Sequence, residues 1–323
     1  MPLPPSLEGR LSLPAVAAPM FLVSGPELVI AASEAGVIGA FPSLNARPAE
    51  EYVRWLGQIE RALAASPGAA PFAVNLIVHR SNKRLEQDLA ATVAHRVPIV
   101  ITSVGHPGEV VARVHAYGGL VWHDVIHLHH AHKAAAAGVD GLILVAAGAG
   151  GHAGTLSPFA FLRQVRAVFD RTIVLAGAIT DGAGIAAARV LGADLAYLGT
   201  RFIASRESRA PEGYKRMIVE ASAADIIYTP AISGIPGNFL RQSLERAGLD
   251  ADNLPPRPEI DMDKEGGARR AWRDVWSAGQ GVGGIDDVAP AAALVARLGA
   301  EYRAALAAAG AGPAVSATAR RTA

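Results

Sequence analysis

The sequence predicts an α/β protein built as a (β/α)8 TIM barrel with a C-terminal helical excursion or cap. Three observations carry that expectation. Short apolar runs, often β-branched, recur eight times between Ala15 and Leu198. Alanine-rich stretches of helical length separate them. Glycine stands where those stretches end, at Gly36, Gly118, Gly138 and Gly192. Strict alternation implies a parallel sheet, and eight strand–helix units close naturally on themselves. A doubly wound open sheet is the competing arrangement. It would want Gly-x-Gly-x-x-Gly after the first strand, where this chain has Ala18-Pro19-Met20.

The expected strands are Ala15–Ala18, Val37–Ala40, Phe72–Leu76, Ile99–Ser103, Leu120–Trp122, Gly141–Val145, Ile173–Ala176 and Leu195–Leu198. Helices fill the gaps at Pro26–Ala35, Ala49–Ala65, Lys83–Ala94, Gly108–Tyr117, His127–Ala137, Pro158–Phe169 and Gly182–Leu191. Gly138-Val139-Asp140 and Gly192-Ala193-Asp194 are near copies, each joining a helix to a buried strand. Past Ala204 the alternation stops. Residues 11–224 are therefore read as the barrel, with a last helix near Ala210–Ala224. Residues 225–270, rich in Pro and Gly, are read as a helical cap or insertion. Residues 271–309 return to the barrel through Trp272, Trp276 and Ser277-Ala278-Gly279-Gln280-Gly281 and end in a helix over Asp286–Ala309. Residues 310–323, small, polar or basic, are expected to be a disordered tail.

Composition narrows the function. With 51% hydrophobic and 18% charged residues in 323, the chain can bury a large core. A net charge of +1 suggests neither a nucleic-acid nor a membrane partner. There is no cysteine, so disulfides, thiolate metal sites and a cysteine nucleophile are excluded, and redox chemistry needs a bound cofactor. No signal-peptide pattern and no membrane-spanning apolar run is seen, so the expected location is cytoplasmic.

In a barrel, chemistry gathers at the C-terminal ends of the strands. Read in order, those ends are Pro19-Met20, Phe41-Pro42, Asn75, Ser103, His123-Asp124, Gly148–Gly154, Gly177-Ala178 and Gly199-Thr200. The glycine-flanked His152 is the most informative. An imidazole titrates near about pH 6.5 and can take a carbon-bound proton; a loop histidine bonded to a backbone carbonyl is the plainer alternative. The ends of strands seven and eight are where such barrels bind phosphate, with glycines exposing backbone N–H groups. Tight turns alone would also explain them. Asn75 presents an amide at the barrel mouth that needs partners, either a ligand or a local Asx turn. The cluster His127, His129, His130 and His132 reads as a solvated helix start with no metal. His123 ends its strand and is expected to point at the mouth.

Together these pieces resemble the nitronate monooxygenase family, formerly the 2-nitropropane dioxygenases. These are FMN-dependent TIM barrels related to flavin enoyl-acyl-carrier-protein reductases. The matching segments are Ala17-Ala18-Pro19-Met20, Phe72–Leu76, Gly150–Gly154, Leu175–Ile179 and Leu198–Phe202, in family order. The resemblance implies FMN, with phosphate on Gly177, Ala178, Gly199 and Thr200 and with Leu198 leading into that turn. It places Pro19, Met20, Asn75 and His123 about the ring, Gly150 and Gly151 beside it, and His152 as catalytic base. The commonest family loop has Gln at Val145, Glu at Gly148 and Arg at Ala153, and some members have Lys at His123. The implied activity is oxidation of alkyl nitronates or nitroalkanes with O2, giving a carbonyl product and nitrite, in a protein free to form a homodimer. An FMN-dependent NAD(P)H reductase of an enoyl thioester or quinone is the alternative, and a non-catalytic flavin-binding protein a further one.

Overall fold

The computed structural model describes residues 3–256 and 273–310. Eight parallel strands close a barrel. They are β1 (Ala15–Ala17), β2 (Ile38–Pro42), β3 (Ala73–Ile77), β4 (Ile99–Ser103), β5 (Leu120–Val125), β6 (Gly141–Val145), β8 (Thr172–Ala176) and β9 (Leu195–Leu198), which pairs back onto β1. The short β7 (Gly151–His152) lies outside the barrel. Helices α1 (Pro26–Glu34), α2 (Glu50–Ala64), α3 (Leu85–Ala94), α4 (Gly108–His115), α5 (Leu128–Ala136), α6 (Pro158–Arg166) and α7 (Gly182–Leu191) surround it.

The strands are apolar almost throughout because both faces are covered. Val16, Ile38, Ile99, Trp122, Ile143 and Leu195 fill the barrel interior. Val74, Val100, Val121, Leu142, Ile173 and Leu198 face the helices. All eight expected strands are present. The four turn glycines take positive φ, 90° at Gly36, 83° at Gly118, 87° at Gly138 and 115° at Gly192, which ends each helix sharply.

The two near-copy turns are one device used twice. Asp140 Oδ2 accepts from Val121 N and lies 2.8 Å from His115 Nε2. Asp194 Oδ2 accepts from Ile173 N at 2.8 Å and from Arg166 Nη2 at 2.6 Å. Each aspartate ties its strand to the preceding one at the closed end of the barrel.

Three differences from the sequence reading bear on the site. First, β5 runs on to Val125, which puts Asp124 on the inner face with Trp122 and turns His123 outward. Second, the excursion opens with an antiparallel hairpin, β10 (Ile226–Thr229) and β11 (Gly237–Leu240), before a short helix α9 (Arg241–Arg246). β11 also pairs with β7, matching Gly237 to His152 and Asn238 to Gly151. Third, the final helix spans Ala291–Gly310, starting after Pro290, so Asp286 and Asp287 precede it. Asp287 instead accepts from Arg201 and Arg297. The helix expected near Ala210–Ala224 is α8 (Glu212–Glu220). Residues 257–272, Trp272 among them, and the tail beyond residue 310 lie outside the described residues.

Replacing Asp194 by Ala should cost about 2–3 kcal/mol, because it strands the buried Ile173 N–H and the Arg166 guanidinium. Asp140→Ala should cost less, since that carboxyl is partly exposed. Urea unfolding of the two variants, side by side, reads the order.

Candidate active site

The open end of the barrel holds a cavity of about 1120 Å³. Pro19, Met20, Asn75, His123, Gly150, Gly151, His152, Gly177, Ala178, Gly199 and Thr200 all line it. Leu198 does not. It is fully buried on the outer face of β9, and its carbonyl accepts from Ala18 N at 2.9 Å.

The loop carrying His152 is held by backbone on both sides. Gly148 O accepts from Ala178 N at 3.3 Å and from Gln280 N at 2.9 Å. Ser277 Oγ accepts from Gly151 N and donates to Asn238 O, each at 2.6 Å. Asn238 Nδ2 donates to Ala149 O at 2.6 Å, and the Tyr228 hydroxyl donates to Ala153 O at 3.0 Å. A Cβ on Gly150 would come within 2.9 Å of Gly279 N, and one on Gly279 within 2.6 Å of Gly148 O. These glycines are therefore set by protein packing. Thr200 Oγ1 belongs to the same clamp, accepting from Gly279 N at 2.9 Å.

Gly199 is different. Its φ is −97°, and an added Cβ would meet only Ala18 and Met20 at ordinary contact distances of 3.8–3.9 Å. Neither backbone conformation nor packing demands glycine there, so its bareness serves the cavity. Beside it, at the end of the neighbouring strand β8, Gly177 has φ 143° and Ala178 the left-handed φ 54°. A non-glycine residue in that region costs about 1–2 kcal/mol, and such strain concentrates at functional sites.

Ser233, in the turn between β10 and β11, reaches the histidine. Its hydroxyl donates to Ile235 O at 3.1 Å, so its oxygen accepts from His152 Nε2 at 3.0 Å. That bond assigns the neutral ring as the Nε2–H tautomer, with the lone pair on Nδ1. Burial pushes the His152 pKa down to about 4, so the ring is uncharged at neutral pH. His123 borders the cavity from the outer side of β5. Thr102 Oγ1 donates to Trp122 O at 3.2 Å and accepts from His123 Nδ1 at 2.8 Å. Burial first, then the charges of His130 and His106, lower its pKa to about 4.

Asn75 makes no Asx turn. Its Nδ2 donates to the neighbouring strand β4, to Ser103 Oγ at 2.7 Å and Ile101 O at 3.3 Å. Ser103 Oγ donates in turn to Asp124 Oδ2 at 2.6 Å. Asp124, Tyr197 and Ser233 were not singled out from sequence as site residues. Alternation along strands of correct length would have marked the first two; Ser233 carries no local signal. His127 caps α5, its Nδ1 accepting from His130 N at 3.2 Å.

Fold and site together define a TIM-barrel oxidoreductase whose strand ends enclose one large cavity. The nitronate monooxygenase family model matches residues 9–301, and the chain belongs to that family. A nitronate monooxygenase of Paraburkholderia phytofirmans is 30% identical over 293 residues, covering 76% of this chain and 77% of that protein. The nitroalkane oxidase of Streptomyces ansochromogenes superposes with a TM-score of 0.78 at 28% identity, over 94% of this chain and 99% of that one. FabK of Thermotoga maritima gives 0.78 at 25% identity, over 95% and 97%. Among the described residues no helix is long and apolar enough to cross a membrane.

The two buried imidazoles set an acid limit on stability. Their folded values, about 4, lie below the ordinary 6.5, so the unfolded chain binds more protons between those values. Their contribution is complete above pH 6.5 and is lost as pH falls towards 4. Asp124, raised to about 6 by burial, works in the opposite sense, losing its contribution as pH rises from 3.8 through about 6. Asp88, raised by burial as well, acts in the same sense as Asp124, so the imidazoles' share is the part of the fall in thermal midpoint between pH 7 and pH 4.5 that their removal abolishes. His123→Asn should recover part of that loss in the same melting series.

Proposed function

We propose that the protein is an FMN-dependent oxidoreductase of alkyl nitronates and nitroalkanes, using O2 and giving a carbonyl product and nitrite. The observation that carries the reading is a glycine-flanked His152, uncharged at neutral pH, on the wall of a cavity that also takes in the bare Gly199 turn. The cavity's size leaves room for both a cofactor and a small substrate.

The residues present fit FMN. The open face of Gly199, between Met20 and Thr200, admits a phosphate close to the backbone, and the contorted Gly177-Ala178 turn faces the same space. Asn75, Met20 and Pro19 line the part of the cavity a ring would enter. When bound, FMN supplies the oxidation of the nitronate and the path of its electrons to dioxygen. The remaining steps fall to the chain. His152 accepts the α-proton of a neutral nitroalkane, its ring positioned by the Ser233 hydroxyl at Nε2. The apolar wall of Val145, Ala149, Ala153 and Ala176 excludes water from the charge that develops.

Purified protein should be yellow and release FMN, not FAD, on denaturation; a dinucleotide fingerprint for an adenylate half is absent from the sequence. Gly199→Asp should keep the fold, given its ordinary Cβ contacts, and lose the flavin to charge repulsion with a phosphate. Colourless protein that takes up no added FMN sinks the assignment, and a variant with full flavin content moves the phosphate elsewhere.

Oxygen uptake with 2-nitropropane and with its preformed nitronate tests the chemistry. His152→Ala should retain FMN and lose about 10²–10⁴-fold on the neutral nitroalkane, the usual size of a general-base contribution. The nitronate has already lost its proton, so its turnover should suffer less. Equal losses reject the base role. If neither compound reacts with the unaltered protein while NADH bleaches the flavin, the reductase alternative replaces this one.

A further inference from the structure

Two buried polar atoms at the floor of the cavity are unaccounted for. Asp124 Oδ1 and Tyr197 OH are shielded from solvent and have no hydrogen-bond partner among the described residues. Both residues line the cavity. Folded proteins seldom leave such groups unpaired, so each points to a ligand that pairs them. They sit on the inner faces of β5 and β9, where alternation with Trp122 and Leu195 directs them into the barrel.

The bonds around Asp124 have a direction. Asn75 Nδ2 donates to Ser103 Oγ, and Ser103 Oγ donates to Asp124 Oδ2. The carboxyl is the terminal acceptor of that relay, which suits its ionised form. Its free oxygen is then an acceptor, and the Tyr197 hydroxyl supplies a donor. A ligand edge complementary to the pair carries an N–H next to a carbonyl. An anionic nitronate offers acceptors alone and would be repelled by the carboxylate. The heteroatom edge of a flavin ring, an N–H flanked by carbonyls, matches.

We propose that Asp124 and Tyr197 seat that edge of the flavin, the Asp124 carboxylate accepting from the ring N–H and the Tyr197 hydroxyl donating to a ring carbonyl. This rests on the flavoprotein reading above. It makes flavin binding sensitive to the ionisation of Asp124. Burial raises that carboxyl to about 6, and the Ser103 bond holds it from rising further. Its charge in turn raises the Tyr197 phenol, which burial has already lifted. Among the described residues the inward neighbours from β6 and β8 are Val145 and Ala176, those from β1 and β2 are Ala18 and Pro42, and those from β3 and β4 are the uncharged Asn75 and Ser103. Tyr197 is thus the ionisable group that faces Asp124.

FMN binding to flavin-stripped protein, followed by fluorescence quenching from pH 7.5 to pH 5, tests this. Asn keeps an acceptor at position 124 but cannot titrate. Acidification should therefore weaken wild type about tenfold more than Asp124→Asn, since one unit below its pKa the carboxyl is about nine-tenths protonated. The phosphate's own ionisation near pH 6 is common to both proteins and cancels in the ratio. Ser103→Ala should move the wild-type midpoint upward, which keeps a readout if Asp124→Asn fails to fold. Tyr197→Phe should weaken binding at every pH. A ratio that does not change with pH, or a Ser103→Ala midpoint that stays put, overturns the seat while leaving the flavoprotein reading in place. FMN that binds wild type at no pH overturns both.

Discussion

The site depends on one constraint: the Gly148–His152 loop must lie against backbone on both sides. On one side it meets Gly279 and Gln280, on the other the hairpin strand β11. Contacts this close exclude a Cβ at Gly150 and Gly279, so the glycines there are consequences of packing. The result is a loop with little freedom. It carries the imidazole on a two-residue strand rather than on a mobile turn, and the angle at which His152 enters the cavity follows from the β7–β11 register. Segments from residues 148–154, 226–240 and 275–281 must all be in place before the site exists, although they are far apart in the chain. Ser277 is the joint, since its one hydroxyl links Gly151 N to Asn238 O.

The chain thus divides into a barrel that defines where ligands go and a later segment that fixes how the histidine is presented. That division explains why Gly199 and Gly150 are both glycine for unlike reasons. Gly150 is bare because protein occupies its Cβ position. At Gly199 nothing among the described residues does. A glycine-rich motif is therefore not a uniform signature of ligand contact, and the open position is the better guide to where a ligand's charged group can come close.

Much of the barrel was legible because its signals are local. Eight apolar runs, the helices between them and the left-handed glycines at their ends each follow from a few neighbouring residues. The strand ends also gathered eleven of the twelve named site residues around one cavity. Leu198 was the exception, because alternation on β9 turns it outward. What escaped was non-local or hung on a strand boundary. Ending the fifth strand at Trp122 hid the parity that sends Asp124 inward and His123 outward; three more residues reverse their apparent roles. Ser233 acts on a side chain 81 positions away. The hairpin was read as part of a helical excursion, since the Pro- and Gly-rich composition of that region masks its short strands, and the third strand of their sheet, β7, lies 85 positions upstream of β11's pairing residue.

The departures from the commonest family loop also acquire a physical meaning. Gly148 has φ 83° and carries a carbonyl that accepts two N–H groups, and a side chain there would meet Gln280 Oε1 at 3.1 Å. A longer acidic residue has no comfortable place. Ala153 is buried and packs with Ala149, Ala176, Val145 and Tyr197. An arginine at that position would have to bury its charge in this cluster or displace it. Val145 belongs to the same wall. With Val145, Ala149, Ala153 and Ala176 side by side, one side of the cavity is small and apolar. Such a wall lowers the local dielectric, which strengthens any polar contact left at its edge and raises the cost of leaving one unpaired. The groups left at that edge are Tyr197, within the cluster itself, and Asp124, which burial already drives towards its neutral form. Polar contact on that side of the cavity therefore falls to the barrel floor, where a carboxyl and a phenol stand.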